Sequence, residues 1–330
     1  MTTCPYGFRI VGTVEARRRL VDAGRALLAY AASDDRAELH REAYLSAFQF
    51  EDDFRAQLER TGSTRGFQGV CWSPFLWFDL DNDSNLDAVL QDARALASLL
   101  LDRYATLADE DLLIFFSGSK GFHVGLPTSL WQPPPSPLFN HIMRRMAEQV
   151  AALARVRIDT SVYDKVRAFR APNSRHPRTG LHKRRVFFDA LLRLSVEGIK
   201  LLAERPDIFE LPEVHGTDGQ ALVDWQECER IVEEEAKGRA RLRAAAADGS
   251  RRLNRLTLDF IRDGADLGDR HRLLFSAAAN LAEFACSFEL AYALLAESAL
   301  DSGLPPSEVR RQIECGLAHG TQQKGGRANA

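Results

Sequence analysis

The sequence predicts a chain of the α/β class, α+β in layout, with strands and helices mixed in its middle third and helices at both ends. Three observations carry this expectation. Short apolar runs within 75–83, at 111–116 and at 122–126 are bounded by glycine, serine and acidic residues, as strands are. Apolar residues recur at helical spacing over 13–32 and 138–154. Residues 251–318 are built around alanine and leucine and read as several helices.

Along the chain, 13–32 reads as a helix and 34–60 as a second, more charged one. "RTGSTRGFQGVCWSP" (60–74) is a Gly/Ser/Pro break. "FLWFDLDND" (75–83) reads as a buried strand ending in carboxylates, and 84–107 as a helix opening at Ser84 or Asn85, either an acceptable N-cap. Strands at 111–116 and 122–126 flank the turn in "IFFSGSKGFHVGLP" (114–127). "WQPPPSP" (131–137) is a rigid loop, 138–154 an amphipathic helix and "RVRID" (155–159) a short strand. A basic segment leads to apolar chain at 185–194. Residues 204–220, with two prolines and two glycines, read as a boundary before a charged helix at 221–246. Prolines within "GLPPSEVRRQIECGL" stand where a helix can start. The expected organisation is a helical region over 1–70, a core over 71–215, a helical domain over 216–320 and a disordered tail over 321–330.

Composition excludes several classes. Hydrophobic content of 45% and charged content of 27% are those of an ordinary globular protein. No stretch is apolar and long enough to span a bilayer, and the N-terminus lacks a signal-peptide pattern, so a cytoplasmic location without membrane contact is expected. The five cysteines are far apart with no CxxC pair, which supports neither a disulfide framework nor a zinc site. Net charge is −3, yet ten Lys/Arg between Arg155 and Arg185 face only Asp159 and Asp164, +8 in 31 residues. That concentration points to an anionic ligand at one place.

Three clusters carry the chemistry. Asp79 and Asp81 stand at i and i+2 of a strand and project side by side. Adjacent carboxylates repel unless a cation lies between them, and hard oxygen donors suit Mg²⁺ or Mn²⁺. Solvated acids at a strand end are the alternative. Ser117, Gly118, Ser119, Lys120 and Gly121 make a tight cationic turn, with His123 on the strand that follows. Glycines let backbone N–H groups approach an anion, and the turn suits phosphate oxygens. An ordinary hairpin with a core histidine is the alternative, and GxxxxGK[ST] is absent. In "RIDTSVYDKVRAFRAPNSRHPRTG" (157–180), Asp159 offers a third carboxylate, Arg167 and Arg170 lie three apart, and Ser174 and His176 precede a Pro/Gly turn. A solvated basic loop is the alternative. Together the clusters supply what a nucleoside triphosphate with its metals requires around one cleft. A glycosyltransferase also uses DxD, but does not account for the third acid and the basic segment.

The ordered set "FLWFDLD", "FFSGSKGFHVGLP", "RID" and "VYDKVRAFRAPNSRHPRTG" resembles the motifs of the archaeo-eukaryotic primase superfamily, over roughly residues 70–195. That superfamily includes small primase subunits, primase-polymerases and the polymerase domains of end-joining ligases. The resemblance implies a primase catalytic core with an RRM-like subdomain. It implies that Asp79, Asp81 and Asp159 bind two catalytic Mg²⁺ or Mn²⁺ ions. It further implies that Ser117, Ser119, Lys120, His123, Arg167, Arg170, Ser174 and His176 hold the incoming NTP or dNTP, and that single-stranded DNA is the template. No zinc module like that of many small subunits is recognisable. The C-terminal helices are broadly similar to extensions that position template or dock a helicase or large primase subunit. Repair polymerase and catalytically idle nucleic-acid-binding subunit stay open beside primase.

Overall fold

The computed structural model describes residues 4–82, 84–212, 216–248 and 253–327, in two compact units that divide after Val232. The class is α+β, with antiparallel sheets.

The first unit opens with β1 (Tyr6–Val11) and β2 (Arg19–Asp22), followed by α1 (Ala23–Ala31), β3 (Ala43–Ser46), β4 (Gln49–Phe50), α2 (Asp52–Thr61) and β5 (Cys71–Trp72). This corrects the expectation that 1–70 is helical. The apolar spacing there also satisfies a two-residue alternation, and Phe8 and Ile10 are both fully buried on β1. The 34–60 region likewise yields β3 and β4 before its helix. The site strands then follow: β6 (Phe75–Asp81), α3 (Leu86–Arg103), β7 (Leu113–Phe116), β8 (Gly121–Pro127) and α4 (Phe139–Ala154). Next come β9 (Ala168–Arg170), β10 (Arg184–Arg185), α5 (Phe188–Arg193), α6 (Val196–Leu202) and α7 (Gly219–Asp248).

One sheet has the order β5-β4-β1-β3-β9 with β2 added on β1; the other runs β10-β7-β8-β6. The 71–215 segment therefore does not stand apart from 1–70, because its β5 and β9 complete the N-terminal sheet. Strand β9 lies inside the basic segment, where no strand is legible from apolar content. Residues 155–159 are not a strand. Arg155 ends α4 in the left-handed region (φ 58°), and the chain touches β6 through the Asp159 N–H to the Asp79 carbonyl at 2.8 Å. The expected boundary at 204–220 is also displaced. Helix α7 packs Ala221, Trp225, Cys228 and Val232 into the first unit's core.

Helix α3 begins at Asn85, whose side chain accepts from Ala88 N–H, and buries Val89, Leu90, Ala93, Leu96, Ala97 and Leu100 at intervals of three and four. It packs on β6 and β8, and α4 on β6. Alternation along β6 leaves Phe75, Trp77, Asp79 and Asp81 on the opposite face. There Trp77 meets Phe169 of β9, with ring centroids 5.4 Å apart. That face of β6 therefore carries aromatic rings at one end and carboxylates at the other.

In the second unit, α8 (Arg255–Asp263), α9 (Arg270–Ala282), α10 (Phe288–Asp301) and α11 (Pro306–Arg327) bury Phe260, Leu274, Leu281, Leu295 and Ile313 together. Gly316 lets α11 come close to α9; a Cβ there would lie 2.6 Å from the Phe275 carbonyl. The tail expected to be disordered continues α11 as far as Arg327, and 328–330 lie outside the described residues. Among the described residues no helix is long and apolar enough to cross a membrane.

Candidate active site

The register of β6 against β8 builds the centre of the site. Asp79 pairs with His123 and Asp81 with Gly121, while Phe115 of β7 flanks His123 on its other side. His123 Nε2 stands 3.4 Å from Asp79 Oδ1, yet that oxygen is buried with no hydrogen-bond partner among the described residues. Burial, then the charges of Asp81 and Asp159, push the Asp79 carboxyl up to about 8. Burial, then Lys183 and Arg170, hold His123 well below the usual imidazole range, so it is neutral at pH 7. The pair is therefore no salt bridge. Asp79 is an acid kept short of protein partners, beside an uncharged imidazole.

Asp81 is exposed and pairs with Lys120 Nζ at 3.2 Å. Asp159 caps the 3-10 turn at Thr160–Tyr163, accepting from Ser161 N–H at 2.9 Å and from Ser161 Oγ at 2.8 Å. Asp83, a secondary acid in the sequence, lies outside the described residues.

The donors suit a hard divalent cation in type, and the unpartnered Asp79 oxygen offers it a lone pair. In arrangement they are not closed around one. Among the described residues no group of three His, Cys, Asp or Glu side chains is set to hold a metal. Lys120 occupies Asp81 as a cation would, and Ser161 occupies Asp159.

The cationic turn and the basic segment pack together. Ser117 closes the turn: its N–H donates to the Gly121 carbonyl at 2.9 Å, and its Oγ accepts from Gly121 N–H at 3.1 Å. Ser117 is thus buried and spent on the turn, while Ser119 and Lys120 stay partly exposed. Gly118 has φ +86°, and a Cβ on it would lie 3.3 Å from His176 Cβ and 3.1 Å from the Leu181 carbonyl. Thr179 Oγ1 donates to the Gly118 carbonyl, joining the two loops. His176 Nδ1 accepts from Arg178 and Thr179 N–H, and burial, then Arg170 and Arg178, push its pKa down to about 4.

Arg170, on β9, reaches Tyr44 Oη at 3.2 Å and Glu42 Oε1 at 3.5 Å, with its guanidinium over the Tyr44 ring. Its Nη1 is buried with no hydrogen-bond partner among the described residues. Arg167 is exposed, near enough to Asp79 to lower its pKa.

Ser174 does not join the site. It is fully buried, and its hydroxyl donates to the Ala171 carbonyl at 2.7 Å. Ser174→Ala is accordingly expected to cost about 1 kcal/mol of stability, as read by denaturant titration. Conversely, the sequence reading passed over Glu42 and Tyr44, which hold Arg170 from a strand not recognised as one. It also passed over Lys183, counted only as part of a charge run.

No family model matches the chain, and no curated protein matches it. A solved structure described as "Crystal structure of primase RepB'" is similar over 99% of this chain and 95% of that one, at 13% identity and a TM-score of 0.34. A TM-score of that size is too low to establish a shared fold.

Proposed function

We propose that the first unit is a DNA-templated nucleotidyltransferase of the primase or primase-polymerase kind, making short primers from NTPs or dNTPs on single-stranded DNA. One observation carries the reading. A buried carboxyl oxygen of Asp79 and a buried guanidinium nitrogen of Arg170 are both left without hydrogen-bond partners among the described residues, and both groups lie near His123. Unsatisfied buried polar groups are costly and rare. A carboxyl that gives up its proton when a cation binds, close to a guanidinium, suits a ligand that brings cations and phosphates together.

Asp79, Asp81 and Asp159 would hold the divalent ions, Mg²⁺ or Mn²⁺. When bound, these supply activation of a 3′-hydroxyl and stabilisation of the departing pyrophosphate. Lys120 turns from Asp81 to the triphosphate, which Arg170, His123 and His176 also meet. His123, being neutral, donates one N–H without adding charge beside Asp79. Ser117 and Gly118 set the turn's shape, and Ser119 lies at its open side. Arg167 is placed to meet phosphate or template backbone.

A second reading, a nucleic-acid-binding subunit with an idle centre, is favoured by the engagement of Asp81 with Lys120 and of Asp159 with Ser161. The deciding experiment incubates the purified chain with single-stranded DNA, labelled nucleotides and either metal, with and without primer. Metal-dependent products, lost in Asp159→Ala, are expected. Products only on an added primer mean a repair or elongation polymerase. DNA binding with no synthesis in either format means the idle subunit.

A further inference from the structure

Lys183 is 1% exposed, and among the described residues it forms no ion pair. Its Nζ donates to the Arg170 carbonyl at 2.8 Å. The ammonium lies 4.1 Å from the Phe169 ring centroid, 5.1 Å from Phe115 and 5.3 Å from Trp77. Phe169 stacks on His123, with centroids 4.4 Å apart and planes 29° apart. His123 Nδ1 has no hydrogen-bond partner among the described residues, so ring stacking takes the place of a second-nitrogen bond in orienting the imidazole. Backbone bonds, Asn173 N–H to the Lys183 carbonyl at 2.8 Å and Lys183 N–H to the Ser174 carbonyl at 3.0 Å, fix the lysine beside the 170–176 segment.

An ammonium buried this deeply is costly: burial, with Arg170 nearby, depresses its pKa well below that of an ordinary lysine even though the Asp79 carboxyl is near enough to pull the other way. A methionine of similar length would fill the same space among three rings. A charge kept there at the expense of stability calls for a role beyond packing.

We propose that Lys183 is a positioning residue for the triphosphate site. It holds Phe169 against the His123 ring by cation–π attraction and pins the backbone of Arg170 by its hydrogen bond. Two groups that meet the phosphates are thereby set by one side chain that touches neither ligand nor metal. The inference rests on the nucleotidyltransferase reading for what the site binds, and on geometry alone for what Lys183 does to His123.

The test compares the full chain with its Lys183→Met variant in three measurements. Melting temperature is expected to be equal or higher, because a desolvated charge is gone. Nucleotide KM is expected to rise about tenfold, the worth of roughly one lost hydrogen bond, with kcat changed by no more than about twofold. In NMR spectra of histidine-labelled protein, the His123 ring protons, assigned by loss of their signal in His123→Gln, are expected to lose most of the ring-current displacement that Phe169 imposes. A folded Lys183→Met protein with unchanged KM and unchanged His123 shifts overturns the proposal. If the wild-type chain shows no synthesis, the functional reading fails, and the His123 shifts alone decide on Lys183. Should Lys183→Met not fold, Phe169→Leu, which keeps the lysine and removes the stack, is expected to raise KM to the same extent. An unchanged KM in that variant overturns the proposal as well.

Discussion

Asp79→Asn is expected to give a better-folded protein that synthesises nothing. The substitution keeps the shape of the side chain and removes a carboxyl whose ionisation is opposed by burial and then by the charges of Asp81 and Asp159. In the folded chain the carboxyl titrates at about 8, against 3.8 when unperturbed. Between those values the folded state holds a proton that the unfolded state has lost. The stability from that proton is complete below about pH 4, falls as pH rises and is gone above about pH 8. The asparagine variant lacks this slope. Its advantage over wild type should therefore widen from pH 5 to pH 8 by about 1.4 kcal/mol per pH unit, about 4 kcal/mol in all, and raise the melting temperature accordingly. All four tryptophans, at 72, 77, 131 and 225, lie in the first unit. Their fluorescence during urea titration in EDTA reads the effect where it arises. Losing one carboxylate from the proposed divalent-ion site removes several kcal/mol of transition-state stabilisation, so synthesis should fall by about a thousandfold or more. Equal stability at both pH values would refute the burial of a strained charge; retained synthesis would refute the metal role.

Gly121→Ala should break the site mechanically. Gly121 pairs with Asp81 across β6 and β8, and its backbone closes the turn through Ser117 in both directions. A Cβ at this position would fall well inside van der Waals contact with the Leu80 carbonyl and the Asp81 carboxylate. The carbonyl belongs to a strand held between β8 and the helices behind it, so the two strands must part where Asp79 and Asp81 emerge. We expect a loss of about 2–4 kcal/mol together with synthesis, followed in the same fluorescence titration. Gly219, at the start of α7, has nothing within 4 Å of its would-be Cβ and serves as the control, with a change of no more than about 1 kcal/mol on replacement by alanine. A Gly121→Ala protein as stable as wild type would show that the strands do not approach so closely.

Several features were legible in the sequence because they are local. The pleat puts Asp79 and Asp81 on one face whatever surrounds them, and a run as apolar as "FLWF" must be covered on both sides. Asn85 followed by leucine and alanine at helical spacing starts a helix through its own hydrogen bond. The small residues of 117–121 announce a turn. The N-terminal strands were not legible, because Phe8, Ile10, Leu20 and Leu27 satisfy more than one period. The short β9, "AFR", is a strand only because β3 supplies its hydrogen-bond partners.

By itself, then, the sequence determined the chemistry available: three acids, a cationic turn and a basic segment, each in its own stretch of chain. Tertiary structure decided which of these face one another and in what state. The β6–β8 register sets His123 against Asp79, and the β3–β9 pairing sets Arg170 against Tyr44. Burial raises one acid, neutralises one imidazole, turns the Ser174 hydroxyl inward and encloses Lys183 among aromatic rings. The physical reason is desolvation. The free energy of a charge depends on how much water and how many partners surround it, and both are set by residues up to a hundred or more positions away in the chain.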